Sequence, residues 1–104
     1  MPYLVYKIPN RVNNKLYIGS TINGIPCRWK EHQTAIHDSR QSHRPIYIAM
    51  KEIGIEQFWI EIVEECSDEG AMHKREIEII KDLGTICPNG YNLRSKVIGQ
   101  IPHG

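Results

Sequence analysis

Residues 3–21 read YLVYKIPNRVNNKLYIGST, and this stretch decides the fold. Tyr3 to Ile8 is rich in β-branched and aromatic residues, which suit a half-buried pleated surface, so a strand is expected there. Pro9 and Asn10 stop it. Asn13, Asn14 and Lys15 form a turn cluster, because asparagine tolerates left-handed backbone. Leu16 to Ser20 resumes a strand. The two runs are close enough in sequence to pair as an antiparallel hairpin.

Beyond the hairpin, Asn23 and Gly24 break the chain. Ile25 to about Ser39 then has helical spacing, with Ile25, Trp29 and Ile36 as its apolar stripe. Pro26 fits the first turn, where a missing N–H is no loss. After a loop from Arg40 to Arg44, Pro45 opens a second helix that runs to Ile53. Ile46, Ile48, Ala49, Met50 and Ile53 are its expected core face, and Gly54 ends it. Phe58 to Val63 (FWIEIV) is expected to be a buried strand with Glu61 as its one outward charge. Ser67 is a candidate cap for a third helix that reaches about Leu83 and closes at Gly84. Pro88-Asn89-Gly90 is a turn, and Tyr91 to Leu93 a short extended piece. The order is β-β-α-α-β-α. That order fits an α+β domain, a small, mainly antiparallel three-stranded sheet flanked by helices. The expected domain covers residues 1–94, with 95–104 as a loose tail.

Composition narrows the function classes. The 104 residues suit one domain, and 40% hydrophobic content allows one modest core. No window approaches 18 consecutive apolar residues, and the start, MPYLVYKIPN, lacks signal-peptide character, so no membrane partner is expected. The expected setting is intracellular, the cytoplasm. Cys27, Cys66 and Cys87 are odd in number and form no CxxC pair. That argues against a disulfide framework and a structural zinc site, leaving three reduced, partly buried thiols. There is no GxGxxG, P-loop, HExxH or GxSxG motif to support nucleotide, zinc-protease or serine-hydrolase chemistry. The net charge of +1 hides an asymmetry: residues 1–51 balance at +6 and residues 52–104 at −5. Such asymmetry is expected either of one basic face for a polyanion with an acidic face pointing elsewhere, or of two ordinary solvated faces.

Some residues suggest chemistry. Arg28 and His32 are four apart, so they share one face of the first helix, outside its apolar stripe. A guanidinium that can fork onto phosphate beside an imidazole that can shuttle a proton suits phosphodiester chemistry. Glu76 falls in the stripe formed by Met72, Ile79, Ile80 and Leu83. A carboxylate at the margin of an apolar face is costly unless a metal ion or an arginine compensates it. Tyr6 and Tyr17 lie on the paired strands, where tyrosine ordinarily packs. Asn92 stands near a turn, where asparagine commonly binds local backbone.

These pieces, in order, resemble the GIY-YIG nuclease family. Leu4-Val5-Tyr6 and Tyr17-Ile18-Gly19 resemble its paired signature. Arg28 to His32 (RWKEH) resembles the next motif, Arg75-Glu76 the metal-binding glutamate position, and Gly90-Tyr91-Asn92 the closing asparagine motif. His43-Arg44-Pro45-Ile46 resembles a loop that carries a histidine in phage homing endonucleases. The resemblance covers roughly residues 3–94. Leu4 stands where the family usually has glycine, and Val5 where it has isoleucine; a regular strand is expected to accept both.

The resemblance implies hydrolysis of phosphodiester bonds in double-stranded DNA with a divalent metal, Mg²⁺ or Mn²⁺. By position, Glu76 would hold the metal, Tyr6 would take the proton of the attacking water, and Tyr17 would orient water or phosphate. Arg28 would stabilise transition-state charge, and His32 would bond Tyr6 or relay its proton. Asn92 would position the site, with His43, Lys15 and Arg44 as supporting or phosphate-binding groups. The resemblance leaves room for a transient dimer, which would cut both strands, and for a separate DNA-recognition partner, or for a standalone nuclease of limited specificity. Two rival readings use the same residues differently. One is a non-enzymatic DNA-binding module, which has no need of Tyr6, Arg28 and Glu76 together. The other is an adaptor that docks a protein through the seven acids and no Lys or Arg between Glu52 and Glu69.

Overall fold

A computed structural model describes residues 2–93. The expected tail at 95–104 lies outside them. Strands β1 (Tyr3–Pro9), β2 (Leu16–Thr21) and β3 (Glu61–Cys66) form one antiparallel sheet in the order β2-β1-β3. Helices α1 (Ile25–Ala35) and α2 (Pro45–Ile53) cover one face, and α3 (Glu69–Leu83) covers the other. The α+β order read from the sequence is the order found.

The hairpin forms as expected. Asn14 takes the left-handed conformation at φ 63°, and the Asn13 side chain accepts from the Lys15 N–H at 2.9 Å. Alternation along β1 then separates the two cores. Tyr6 and Ile8 face α1 and α2, whereas Val5 packs with Ile18 of β2 against Met72, Ile79 and Ile80 of α3. Leu4 pairs with Thr21 on one side and Glu65 on the other, and it is buried. The strand therefore accepts the side chain that replaces glycine.

Five expectations need correction. First, α1 stops at Ala35, not near Ser39. The Asp38 carboxylate accepts from the Arg40 N–H and turns the backbone aside, the usual competition of a short acidic side chain with a helix. Second, β3 spans residues 61–66, not 58–63. Phe58 is buried and makes only an isolated bridge to Asn10, while Ile62 and Val63 are exposed. Position on the sheet edge does not by itself expose a strand, since β2 is an edge strand and largely buried; on β3 no element among the described residues covers Ile62 and Val63, so the apolar run does not become a buried strand.

Third, Ile48 and Leu83 point outward, and Tyr47 takes the inner place beside Ile46 and Met50. Helical period puts 46, 47, 50 and 53 on one side and 48 opposite. Fourth, Asp68, not Ser67, caps α3, its carboxylate accepting from the Ala71 N–H at 2.7 Å. Fifth, of the three thiols expected to be partly buried only Cys66 is; Cys27 and Cys87 are exposed, and all three are free. Among the described residues no helix is long and apolar enough to cross a membrane.

Candidate active site

Tyr6 sits on the middle strand, and its ring lies across from Gly19 on β2. A Cβ at residue 19 would run into the Tyr6 ring and hydroxyl, so glycine there leaves the ring its place. The Tyr6 hydroxyl lies 2.7 Å from His32 Nε2 and accepts from Arg28 Nε at 3.0 Å. His32 is fully buried; the α1 face that carries it turns inward. Its Nδ1 lies 2.8 Å from the Tyr47 hydroxyl of α2. Tyr17 completes the cluster, its ring edge-on to His32 with centroids 5.7 Å apart. Two strands and two helices thus contribute three phenols, an imidazole and a guanidinium to one patch.

Electrostatics follow from burial. Burial pushes the Tyr6 phenol well above its usual range; Tyr17 adds to this and Arg28 opposes it. Burial also raises Tyr17, again with Arg28 opposing and the Glu76 carboxylate adding. Tyr47 is pushed up to about 12 by burial and by Tyr17. Burial lowers His32 to about 3, helped by the Arg28 charge. Burial works against the Arg28 charge, yet Tyr6 and Tyr17 together hold it firmly protonated. At neutral pH the cluster is therefore phenols, a neutral imidazole and one cation. A neutral imidazole has one donor and one acceptor nitrogen, so its two hydrogen bonds must run in one direction or the other.

Glu76 reaches the site from the opposite side of the sheet. It is 1% exposed on α3, and Ser20 Oγ donates to its Oε1 at 2.8 Å. Ser20 is two residues past Ile18 on β2, which sets it on the α3 face. Tyr17 and Gly19 face the other way, so the carboxylate and the phenols meet around β2 and not on one face. The His73 Nδ1 lies 3.7 Å from the same Glu76 oxygen. A cleft of about 230 Å³ at the end of β2 is bordered by Ser20, Arg28, Glu31, Glu69 and His73, and Glu76 lies against two of these, Ser20 and His73. A larger depression of about 380 Å³ along the outer side of α1 holds none of the phenols, His32 or Ser20.

Among the described residues no three or more His, Cys, Asp or Glu side chains are grouped to hold a metal. That donor set does not suit a closed nitrogen–sulfur zinc site. A single buried carboxylate beside an open cleft does suit a hard divalent cation that keeps most of its water.

The remaining candidates lie around this centre. Asn92 acts like a strand partner for the outer edge of β2. Its side chain accepts from the Ile18 N–H at 2.9 Å and donates to the Ile18 carbonyl at 2.8 Å, while Thr85 Oγ1 donates to it at 2.8 Å. It holds β2 from one residue away from Tyr17. Arg44 is exposed, but its charge is felt at Tyr17 and Tyr47. Among the described residues His43 is not joined to the cluster; it is exposed in the loop before α2. Lys15 is at the hairpin turn, two residues before Tyr17. Sequence reasoning missed Tyr47 and Ser20. The helical period at 46, 47 and 50 and the strand period from Ile18 were the signals that could have found them.

A family model described as the GIY-YIG catalytic domain matches residues 2–92. The chain belongs to this family. It therefore carries an endonuclease catalytic domain of the homing-endonuclease-like kind. Members of the family generally depend on a divalent metal. Two solved structures of the catalytic domain of the intron (homing) endonuclease I-TevI are similar to it. One, in a Glu-to-Ala mutant form, has a TM-score of 0.76 and 30% identity over 88% of this chain and 93% of that one. The other has a TM-score of 0.75 and 29% identity over 88% and 97%. Among curated proteins, segB of Enterobacteria phage T4, named for an inferred endonuclease activity, is 33% identical over 96 residues, 90% of this chain and 38% of that protein. Protein 146R of Invertebrate iridescent virus 6, named for an inferred MSV199 domain, is 31% identical over 103 residues, 94% and 40%. The chain thus spans about two fifths of the length of these curated relatives.

Proposed function

We propose that this domain hydrolyses phosphodiester bonds in double-stranded DNA with Mg²⁺ or Mn²⁺, as part of a homing or mobile-element nuclease. One observation carries the reading: the Tyr6 hydroxyl is held between Arg28 and His32, with the Glu76 carboxylate just around the edge strand. The likeness to I-TevI and segB supports the homing setting. A non-enzymatic module or an adaptor has no use for that arrangement, which exposes little of its polar chemistry except at the cleft.

Glu76 would hold the metal, which would supply Lewis-acid stabilisation of the negative charge that develops during hydrolysis. Tyr6 takes the proton of the attacking water. Its raised pKa means that it starts as a neutral phenol, so its own proton must move to His32 as it accepts the new one. Arg28, firmly protonated, stabilises charge on the phosphorane-like transition state. Tyr17 orients water or phosphate. Asn92 fixes β2, and Lys15, His43 and Arg44 contact flanking phosphates. A transient dimer or a separate partner supplies target recognition.

The test is cleavage of supercoiled plasmid. Purified protein with Mg²⁺ is expected to nick or cut it, EDTA to stop the reaction, and Glu76→Ala to abolish it. Cleavage by Glu76→Ala at the wild-type rate removes the metal assignment, and no cleavage by the wild type removes the whole reading.

A further inference from the structure

We propose that Tyr47 is the outlet of a proton relay, Tyr6–His32–Tyr47, that carries the proton displaced from Tyr6 out of the buried cluster. The inference rests on the reading of Tyr6 as the base. Its geometric basis is that both nitrogens of one fully buried imidazole end on phenols, Tyr6 at 2.7 Å and Tyr47 at 2.8 Å.

The chemistry follows from what His32 cannot do. Burial lowers it to about 3, so it does not hold two protons at neutral pH. It can accept the Tyr6 proton only if it releases one from its other nitrogen in the same step. Tyr47 is placed to receive it. In the resting state the Tyr6 O–H donates to Nε2 and the Nδ1–H donates to the Tyr47 oxygen. As water attacks phosphorus, the water proton passes to the Tyr6 oxygen and the old Tyr6 proton passes to Nε2. The Nδ1 proton passes to Tyr47, and the old Tyr47 proton passes to solvent. One proton enters and one leaves. Every group ends neutral, and His32 ends in its other tautomer.

Tyr6 and His32 are fully buried, whereas Tyr47 keeps a small exposed fraction, 4%, in the first turn of α2, which is where the last transfer leaves the cluster. The residue opens the first turns of α2 near the exposed Arg44, and the charges of Arg28 and Arg44 both ease loss of its proton. Tyr17 and the exposed Glu31 act in the opposite sense. With His32, and with Tyr6 on the far side of the imidazole, these are the titratable and charged groups set against it among the described residues. Tyr47 does not touch the phosphate in this scheme, so it is a positioning and relay residue, not a catalytic one.

Two measurements on Tyr47→Phe test the relay. The first does not depend on cleavage: ¹⁵N NMR of the His32 ring at pH 7. The wild type is expected to show the proton on Nδ1. The variant is expected to show it on Nε2, because Nδ1–H has lost its acceptor. The same tautomer in both proteins overturns the relay. The second is single-turnover plasmid cleavage with Mg²⁺ across pH 6–9, with the thermal midpoint as a control on folding. The variant is expected to lose roughly 10- to 100-fold at pH 7, a part of what general-base catalysis contributes. It is also expected to gain rate with pH more steeply than the wild type, because a preformed Tyr6 phenolate becomes the only base. A variant whose pH profile matches the wild type, whether slow or fast, overturns the relay. Absence of wild-type cleavage overturns instead the function on which it rests, and the tautomer result still decides the hydrogen-bond direction.

Discussion

The two edges of the sheet differ sharply in how they treat charge. At the β2 edge a single carboxylate, Glu76, is buried under the strand and bonded by Ser20, and Asn92 caps the backbone at Ile18. At the β3 edge carboxylates are plentiful and exposed. Glu61 pairs with Lys7 at 3.5 Å and Glu64 with Arg75 at 2.8 Å, beside the exposed Ile62 and Val63. The acids of β3 thus lie on an ordinary solvent-facing surface, two of them ion-paired. What sets apart the acid proposed to hold a metal is its burial, its hydrogen bond from Ser20 and a nearby cleft, not the number of acids. The β3 pairs are worth little because water screens both partners.

The comparison breaks most easily through activity. Glu76→Ala, Arg28→Ala and Tyr6→Phe are each expected to lower single-turnover cleavage by at least roughly 100-fold, the scale of removing one electrostatic stabiliser or a general base. Gly19→Ala is the next largest. Its methyl displaces the Tyr6 ring, so cleavage is expected to fall roughly 10- to 100-fold with a lowered thermal midpoint, the cost of overpacking being about 1–3 kcal/mol.

These expectations also show how much was legible in the sequence. The hairpin was, because Pro9, Asn10 and the Asn13-Asn14 turn punctuate two strands of clear β composition. Glu76 was, because a carboxylate in an apolar stripe violates the helical pattern. His32 was legible as a partner of Arg28, but not as a buried group, since α1 turns toward the core the face that its apolar stripe does not mark. The strand at 58–63 misled because an apolar run says nothing about whether neighbours cover it, and on β3 they do not. The meeting of Glu76 with the phenols around β2 depends on which face each helix covers, a long-range fact no local pattern encodes.

Smaller effects sharpen the contrast through stability. Asn92→Ala removes three buried hydrogen bonds at the β2 edge and is expected to cost roughly 2–4 kcal/mol in denaturant unfolding. His32 gives a pH signature. Its folded pKa, about 3, lies below the unfolded value, so between about pH 3 and 6.5 the unfolded chain binds the extra proton. Stability therefore falls as pH drops through that window, with a slope approaching about 1.4 kcal/mol per pH unit. Unfolding curves at pH 4.5, 5.5 and 6.5 are expected to show it, and His32→Gln to flatten it. At the β3 edge, Glu64→Gln is expected to change stability by no more than about 1 kcal/mol and to leave cleavage unchanged.

Paramagnetic broadening of amide NMR signals by Mn²⁺ tests the central claim most directly, because it locates the ion without requiring turnover. Signals of Ser20, Arg28 and Glu76 are expected to broaden first, at substoichiometric Mn²⁺, while those of Glu61 to Glu65 stay sharp, and Glu76→Ala to remove the effect. Broadening centred on β3, or broadening at Ser20 that survives Glu76→Ala, would contradict it.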